Sequence, residues 1–473
     1  MQQAYLLLYL VLFAWTVYTV ARHGIGRAFA LCLLPAVLLF NFAQAVQMPL
    51  LPNLKSLSIV MYGVCVGLIL RPQELRKLRW NWIDTGMVLM LLPVFFTTLM
   101  NGGQPLRPGL PPEPASLKLA QRYAMEFGIT WLFPYFMARL ALQDADGRRI
   151  ALKALCVLSI GIGLLAAVES SGLRPNGTAR ALYRLKLNTT TVGQESSMVF
   201  KRFGLARAIA TAGQQIDLGN VGVLVGTMIL VLIPATAASW TRPLHLGGIL
   251  GAGAMVIGSV SMTSWVAMAV AFVCYFLFTR PGLGRYLVVP ILLAQFAFML
   301  AQSSSMLNAD NPIDRPGTDV GDSRWIRVKI MQEAWPLVST AGWLGHGYGA
   351  DVSKVGIGSV DNSYLLFIIQ IGWLGLALWV GLMLIVAVMG ARAFGRVTTD
   401  SERLPLAAML AGTLGITFAM YTVFFGFVYA ILFACVLGMV SSMCQLLTRQ
   451  RPAAVSLHGG MPPAYGVIAG GMR

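Results

Sequence analysis

Residues 302–375 read QSSSMLNADNPIDRPGTDVGDSRWIRVKIMQEAWPLVSTAGWLGHGYGADVSKVGIGSVDN, then SYLLFIIQIGWLG. The stretch leaves one apolar run, crosses a polar segment of some sixty residues and enters another apolar run at Ser363. Most other apolar runs are separated by short turns, so a connection of this length marks a functional or structureless segment. Trp325, Trp335, Trp343 and Tyr348 argue that it is folded, and the chemistry is expected in and under it.

Working outward, the chain is 57% hydrophobic and only 11% charged over 473 residues. Soluble domains carry about 25% charged residues. Apolar runs of spanning length recur along the chain, as membrane crossing requires. The expected fold is all-α: a polytopic transmembrane bundle of about 12–14 spans with one large and one medium loop on the outer face. Residues 1–451 form one membrane domain, with 169–216 and 303–361 as outer loops. The Gly/Pro/Ala-rich tail 452–473 reads as a disordered cytoplasmic segment. The first apolar run lacks a charged leader and a small-residue cleavage site, so it is expected to be a retained helix.

Candidate spans fall at 4–20, 28–46, 55–70, 82–100, 123–140, 150–168, 217–238, 244–261, 264–279, 286–303, 362–390, 404–422 and 427–447. Arg71, Arg76, Lys77 and Arg79 share one short turn, Arg148 and Arg149 another, Arg280 and Arg285 a third, and Arg392, Arg396 and Arg403 a fourth. Alternating spans place all four on one side, which the excess of Lys and Arg in short loops marks as cytoplasmic. A net charge of +17 therefore does not require nucleic acid.

The outer segments carry arginines of their own. The 169–216 segment has Arg174, Arg180, Arg184, Lys186, Lys201, Arg202 and Arg207 against Glu169 and Glu195. Long loops translocate whatever their charge, so these cations fit the topology. The forked guanidinium matches phosphate, which points to an anionic ligand; anionic headgroups are the plainer alternative.

Few other residues carry chemistry. Of four histidines only His346 falls outside, and no His, Cys and carboxylate cluster of zinc spacing exists. No metal site and no cofactor are expected. Asp144-Ala145-Asp146 reads as a solvated turn, the six cysteines as packing residues, and Gly247 with Gly251 as a close helix contact. No serine nucleophile motif is present. Asp361 sits where the long loop meets the next span, before Asn362 and Tyr364. It is either a helix cap or a carboxylate able to take a proton from a sugar hydroxyl.

Three segments in order resemble the O-antigen ligase and polysaccharide polymerase superfamily of bacterial envelopes. They are ARAIATAGQQIDLGNVGVLVG from Ala206, DSRWIRVKIMQEAWPLVSTAGWLGHGYG from Asp322, and VDNSYLLFIIQIGWLGL from Val360. Together they cover roughly the C-terminal 60% of the chain. The resemblance implies a GT-C-like, metal-independent membrane glycosyltransferase whose donor is a glycan on undecaprenyl pyrophosphate. Arg207 matches the arginine of the first motif and Arg324 that of the second; with Asp361 they form the implied catalytic set. Arg202, Arg327, Asn362, Tyr364 and His346 are the implied substrate contacts. In the ligases a histidine stands in the third motif where Asp361 stands here, so His346 is an alternative to Asp361. Relatives often carry Ser-Arg-Gly where this chain has Ser264-Trp265-Val266.

The Asp-Asn version of the third motif is more like the polymerases. The expected function is therefore joining lipid-linked repeat units into exopolysaccharide or O-antigen at the periplasmic face of the inner membrane. Ligation of finished glycan to lipid A core or protein is the alternative. A flippase is the alternative of another class; it predicts internal repeats and mid-membrane charges, and neither is evident. Expected partners are the lipid-linked glycan as donor and acceptor, membrane lipid and a chain-length regulator, with no nucleic acid.

Overall fold

The computed structural model describes residues 2–39, 46–48, 51–102, 114–143, 145–171, 201–202, 205–208, 210, 215–233, 242–309, 319–348, 362–422 and 427–449. Asp144, Asp361, most of the 169–216 segment and the 452–473 tail lie outside these residues.

Among the described residues the protein is an all-α polytopic bundle with two short β-hairpins. The helices are α1 (Gln2–His23), α2 (Ile25–Leu39), α3 (Ser56–Leu70), α4 (Trp82–Asn101), α5 (117–141), α6 (Ala145–Ser170) and α7 (Gln215–Leu232). They continue as α8 (Arg242–Gly258), α9 (Met262–Thr279), α10 (Leu283–Leu307), α11 (Asp319–Thr340), α12 (Ser363–Phe394), α13 (Asp400–Ala419) and α14 (Phe427–Arg449). Strands β1 (Val46–Met48) and β2 (Leu51–Leu54) pair antiparallel, as do β3 (Lys201–Arg202) and β4 (Leu205–Ala206). Seven helices, α1, α4, α6, α9, α10, α12 and α14, are long and apolar enough to cross a membrane, and α2, α3 and α7 are shorter apolar helices.

Each expected span coincides with a helix, with three adjustments. The 28–46 run is helical as far as Leu39, with 40–45 outside the described residues, and the 217–238 run ends its helix at Leu232. The third adjustment concerns 362–390, taken up below.

Small residues set the closest packing. A Cβ on Gly251 of α8 would lie 2.3 Å from the Ser159 carbonyl oxygen of α6, and one on Gly163 would lie 2.5 Å from the Gly251 Cα. The Ser159 hydroxyl donates to the Gly248 carbonyl at 2.7 Å. Glycine lets two backbones approach where no hydrophobic force between helices is available in lipid.

At the opposite end from the long loop, α4, α5 and α14 are tied by a buried ionic knot. Asn81 caps α4, and its own N–H donates to the Asp84 carboxylate at 2.6 Å. Asp84 also pairs with Arg139, both fully buried, and accepts from the Tyr135 hydroxyl at 2.5 Å. Asn81 Nδ2 reaches Ser441 Oγ at 2.8 Å, and Gln445 Nε2 donates to the Arg79 carbonyl at 3.0 Å. The two charges offset each other as an ion pair, which is the condition for tolerating them away from water.

The run expected to be one span from 362 to 390 is two helices. Gly372 has φ 72° and ψ −175°, a combination essentially confined to glycine. The halves fold back on each other. Phe367 meets Trp379 edge-on at 5.3 Å between ring centroids, and Thr417 contacts both Tyr364 and Met383. A straight helix rising 1.5 Å per residue would hold Tyr364 and Met383 roughly 28 Å apart.

A break inside an apolar bundle frees backbone groups that lipid cannot satisfy. The 342–347 turn and α4 satisfy them here. His346 N donates to Ile369 O at 2.7 Å, Trp373 N to Gly342 O at 3.2 Å, and Leu374 N to Trp343 O at 3.1 Å. Thr97 Oγ1 donates to Gln370 O at 3.1 Å, and Asn101 Nδ2 to Gly345 O at 2.7 Å. The glycines of GWLGHGYG thus fit a turn into the break: Gly342, Gly345 and Gly347 all have positive φ.

Candidate active site

The first motif is docked on the ends of α6 and α8. Ala208 N donates to the Gly258 carbonyl at 2.8 Å, and Ala210 N donates to the Glu169 carboxylate at 2.8 Å. Arg207 stands between these anchors, half-buried, with its Nε inaccessible. Arg202 lies in β3, paired with Leu205.

The α8–α9 connection follows Gly258 directly. Val260 has φ 47°, where a β-branched side chain is strained. Ser259 and Ser261 brace it: Ser259 Oγ donates to Val256 O at 2.7 Å, and Ser261 N donates to Ser259 Oγ at 3.3 Å. The indole of Trp265 donates to Val256 O at 3.0 Å. Trp265 thus clamps the turn. Among the described residues, the two non-glycine residues with positive φ, Ala210 and Val260, both sit on this face, the kind of place where strain collects.

Four residues past Ser259, Thr263 Oγ1 accepts from Arg327 Nη2 at 3.4 Å and from Thr422 Oγ1 at 3.0 Å. The long loop is therefore anchored on the same short connection as the first motif. Gly258 and Thr263 are five residues apart, at most about 18 Å of extended chain. Arg324 and Arg327 are three positions apart on α11 and so share a face of it.

Arg327, Asn362 and Tyr421 come from three elements to line one pocket with Met306, Ile330, Met331 and Leu365. Gln332 Nε2 ties α11 to the end of α10 through the Ala309 carbonyl at 2.8 Å, and the Tyr421 hydroxyl lies 3.2 Å from Ser303 Oγ. The pocket is small, with apolar walls and a few convergent polar groups.

The remaining expected contacts divide. Asn362 caps α12, its Oδ1 accepting from Tyr364 N at 3.0 Å and Leu365 N at 3.2 Å, so the capping role weighed for Asp361 falls to its neighbour. Tyr364 is absent from the pocket that holds Arg327. It is buried in the core, its hydroxyl donating to the Thr417 carbonyl at 2.8 Å and its ring meeting Phe296 edge-on. His346 is likewise a structural member of the turn, with Nε2 2.9 Å from the Leu337 carbonyl and its backbone N–H on Ile369. It is absent from the pocket that holds Arg327. Tyr348 packs against Tyr123, and its hydroxyl is pushed above the usual range by desolvation first and by Glu126 second.

Sequence reading missed Thr263, Thr422 and Tyr421, since an isolated hydroxyl at a helix end carries no motif. It also missed the Asp84–Arg139 knot, whose members are 55 positions apart.

Residues 247–380 match the model of a family described as O-antigen ligase, consistent with the O-antigen ligase and Wzy-like superfamily. The matched span runs from α8 to the second half of α12 and includes the α8–α9 connection, Arg324, Arg327 and the broken helix. Its members are membrane glycosyltransferase-like enzymes. No curated protein matches the chain.

Proposed function

We propose that this protein transfers a glycan from a polyprenyl pyrophosphate carrier to a hydroxyl of another lipid-linked glycan, building polysaccharide at the periplasmic face of the bacterial inner membrane. The observation that carries this reading is the shared anchorage of the two arginine-bearing segments on residues 258–263, beside a pocket with apolar walls and Arg327. Arg207, Arg324 and Arg327 hold the diphosphate. Fixed positive charge stabilises the leaving group as its negative charge develops, an effect commonly worth 10²–10³ in rate for one lost donor. The apolar wall of Met306, Ile330, Met331 and Leu365 takes the first isoprene units. The lipid diphosphate is itself the leaving group, so the reaction needs no nucleotide and no metal.

Arg207→Ala and Arg324→Ala are expected to abolish long-chain polysaccharide with protein level unchanged. Normal polymer from both variants rejects the assignment. The match to an O-antigen ligase family favours a second reading, ligation of finished glycan to lipid A core or protein. Deletion separates the two: lost ligation leaves long lipid-linked polymer unattached, and lost polymerisation leaves single repeats.

A further inference from the structure

Two buried polar groups on α7 lack partners among the described residues. Asp217 is 8% exposed and makes no hydrogen bond or ion pair there. Asn220 is fully buried; its Oδ1 accepts from Ser264 Oγ at 3.1 Å, while its Nδ2 is unpaired. Positions 217 and 220 are neighbours on one helix face. Native proteins rarely leave buried polar groups unsatisfied, and those that remain need a reason.

Their place supplies one. Asp217 and Asn220 lie in the opening turns of α7, which press against the connection that anchors both arginine segments. Ser264 Oγ lies 3.4 Å from the Ile216 carbonyl, and a Cβ on Gly219 would lie 2.3 Å from Ser264 Oγ and 2.6 Å from Ser259 Oγ. An unpaired carboxylate and an unpaired amide donor therefore sit beside the face assigned to the diphosphate. Among the described residues, the charged or titratable groups at this end include Glu169 of α6, which already accepts from Ala210 N, with Arg202, Arg207, Arg324, Arg327 and Tyr421. The adjoining ends of α8, α9, α13 and α14 bring no carboxylate.

We propose that Asp217 takes the proton from the acceptor sugar hydroxyl and that Asn220 orients that hydroxyl. The assignment rests on the glycosyl-transfer reading. As the acceptor oxygen forms its bond to the anomeric carbon, its proton passes to the Asp217 carboxylate. The bond from that carbon to the phosphate oxygen breaks, and its electron pair leaves with the diphosphate. Arginines thus serve the departing group, and the paired positions on α7 serve the incoming one.

The test uses the full-length protein in liposomes with lipid-linked repeat units isolated from producing cells, with rates measured across pH. A general base contributes about 10²–10⁴ in rate. Asp217→Asn is expected to lower kcat at least about 100-fold, with KM within about threefold, and to flatten the acidic limb of the kcat profile. Asp217→Glu keeps a displaced limb, and Asn220→Ala costs about tenfold with the limb retained. If Asp217→Asn fails to accumulate, the Asp217→Glu and Asn220→Ala variants carry the test. An Asp217→Asn protein with wild-type kcat and pH profile, while Arg327→Ala is inactive, overturns this proposal alone. Loss of the limb in Asp361→Asn but not in Asp217→Asn does the same. Wild-type protein that transfers no glycan overturns both this proposal and the reading beneath it.

Discussion

Gly372→Ala is expected to detach the 342–347 turn from the break in α12. The backbone there, φ 72° and ψ −175°, is one that alanine adopts at a cost of about 1–3 kcal/mol. The new Cβ would also lie 2.1 Å from the Trp343 carbonyl oxygen and 2.5 Å from Gly345 N. These are backbone atoms with no rotamer to change, so overpacking adds about 1–3 kcal/mol. Relief by moving the turn away breaks the bonds from His346 N, Trp373 N and Leu374 N, each worth about 1 kcal/mol. The two steric contributions alone total about 2–6 kcal/mol. At about 4 kcal/mol, local opening rises roughly a thousandfold. The assay is limited proteolysis between α11 and α12 in detergent, with a thermal melt and transfer activity alongside. Gly381→Ala is the control on the same helix. Its Cβ would meet nothing within 4 Å, so it is expected to be neutral or to stabilise by up to about 1 kcal/mol. Equal cleavage rates and melting temperatures for the two variants would refute the reasoning.

Asp84→Asn leaves Arg139 buried without its anion and is expected to cost about 3–5 kcal/mol; activity per folded molecule should be unchanged, and a fall in specific activity would place this knot in the reaction. His346→Gln keeps a donor for the Leu337 carbonyl and is expected to retain the wild-type pH–rate profile. A lost titration in that variant would return His346 to the chemistry.

Hydropathy made the spans legible, because crossing a bilayer needs a run of apolar residues whatever the neighbours are. Helix existence was therefore readable at every expected span, while ends and breaks were less so. The helix α7 ends at Leu232 although the apolar run continues past it. The local motif in VDNSYLL was readable as a cap, but which of Asp361 and Asn362 caps depends on one residue of register. A tyrosine near a loop looks available, and only the fold places Thr417 and Phe296 around Tyr364.

The arginines, the glycines of GWLGHGYG and the apolar runs were determined by the sequence alone, since charge, backbone freedom and hydropathy belong to each residue where it stands. Tertiary structure decided which of them meet. Only folding brings Ala208 to Gly258, Arg327 to Thr263, and the 342–347 turn to the break at Gly372. Among the described residues it also left the Asp217 carboxylate and the Asn220 amide nitrogen without partners. Those relations depend on distances between helix ends far apart in the chain, which no local preference encodes.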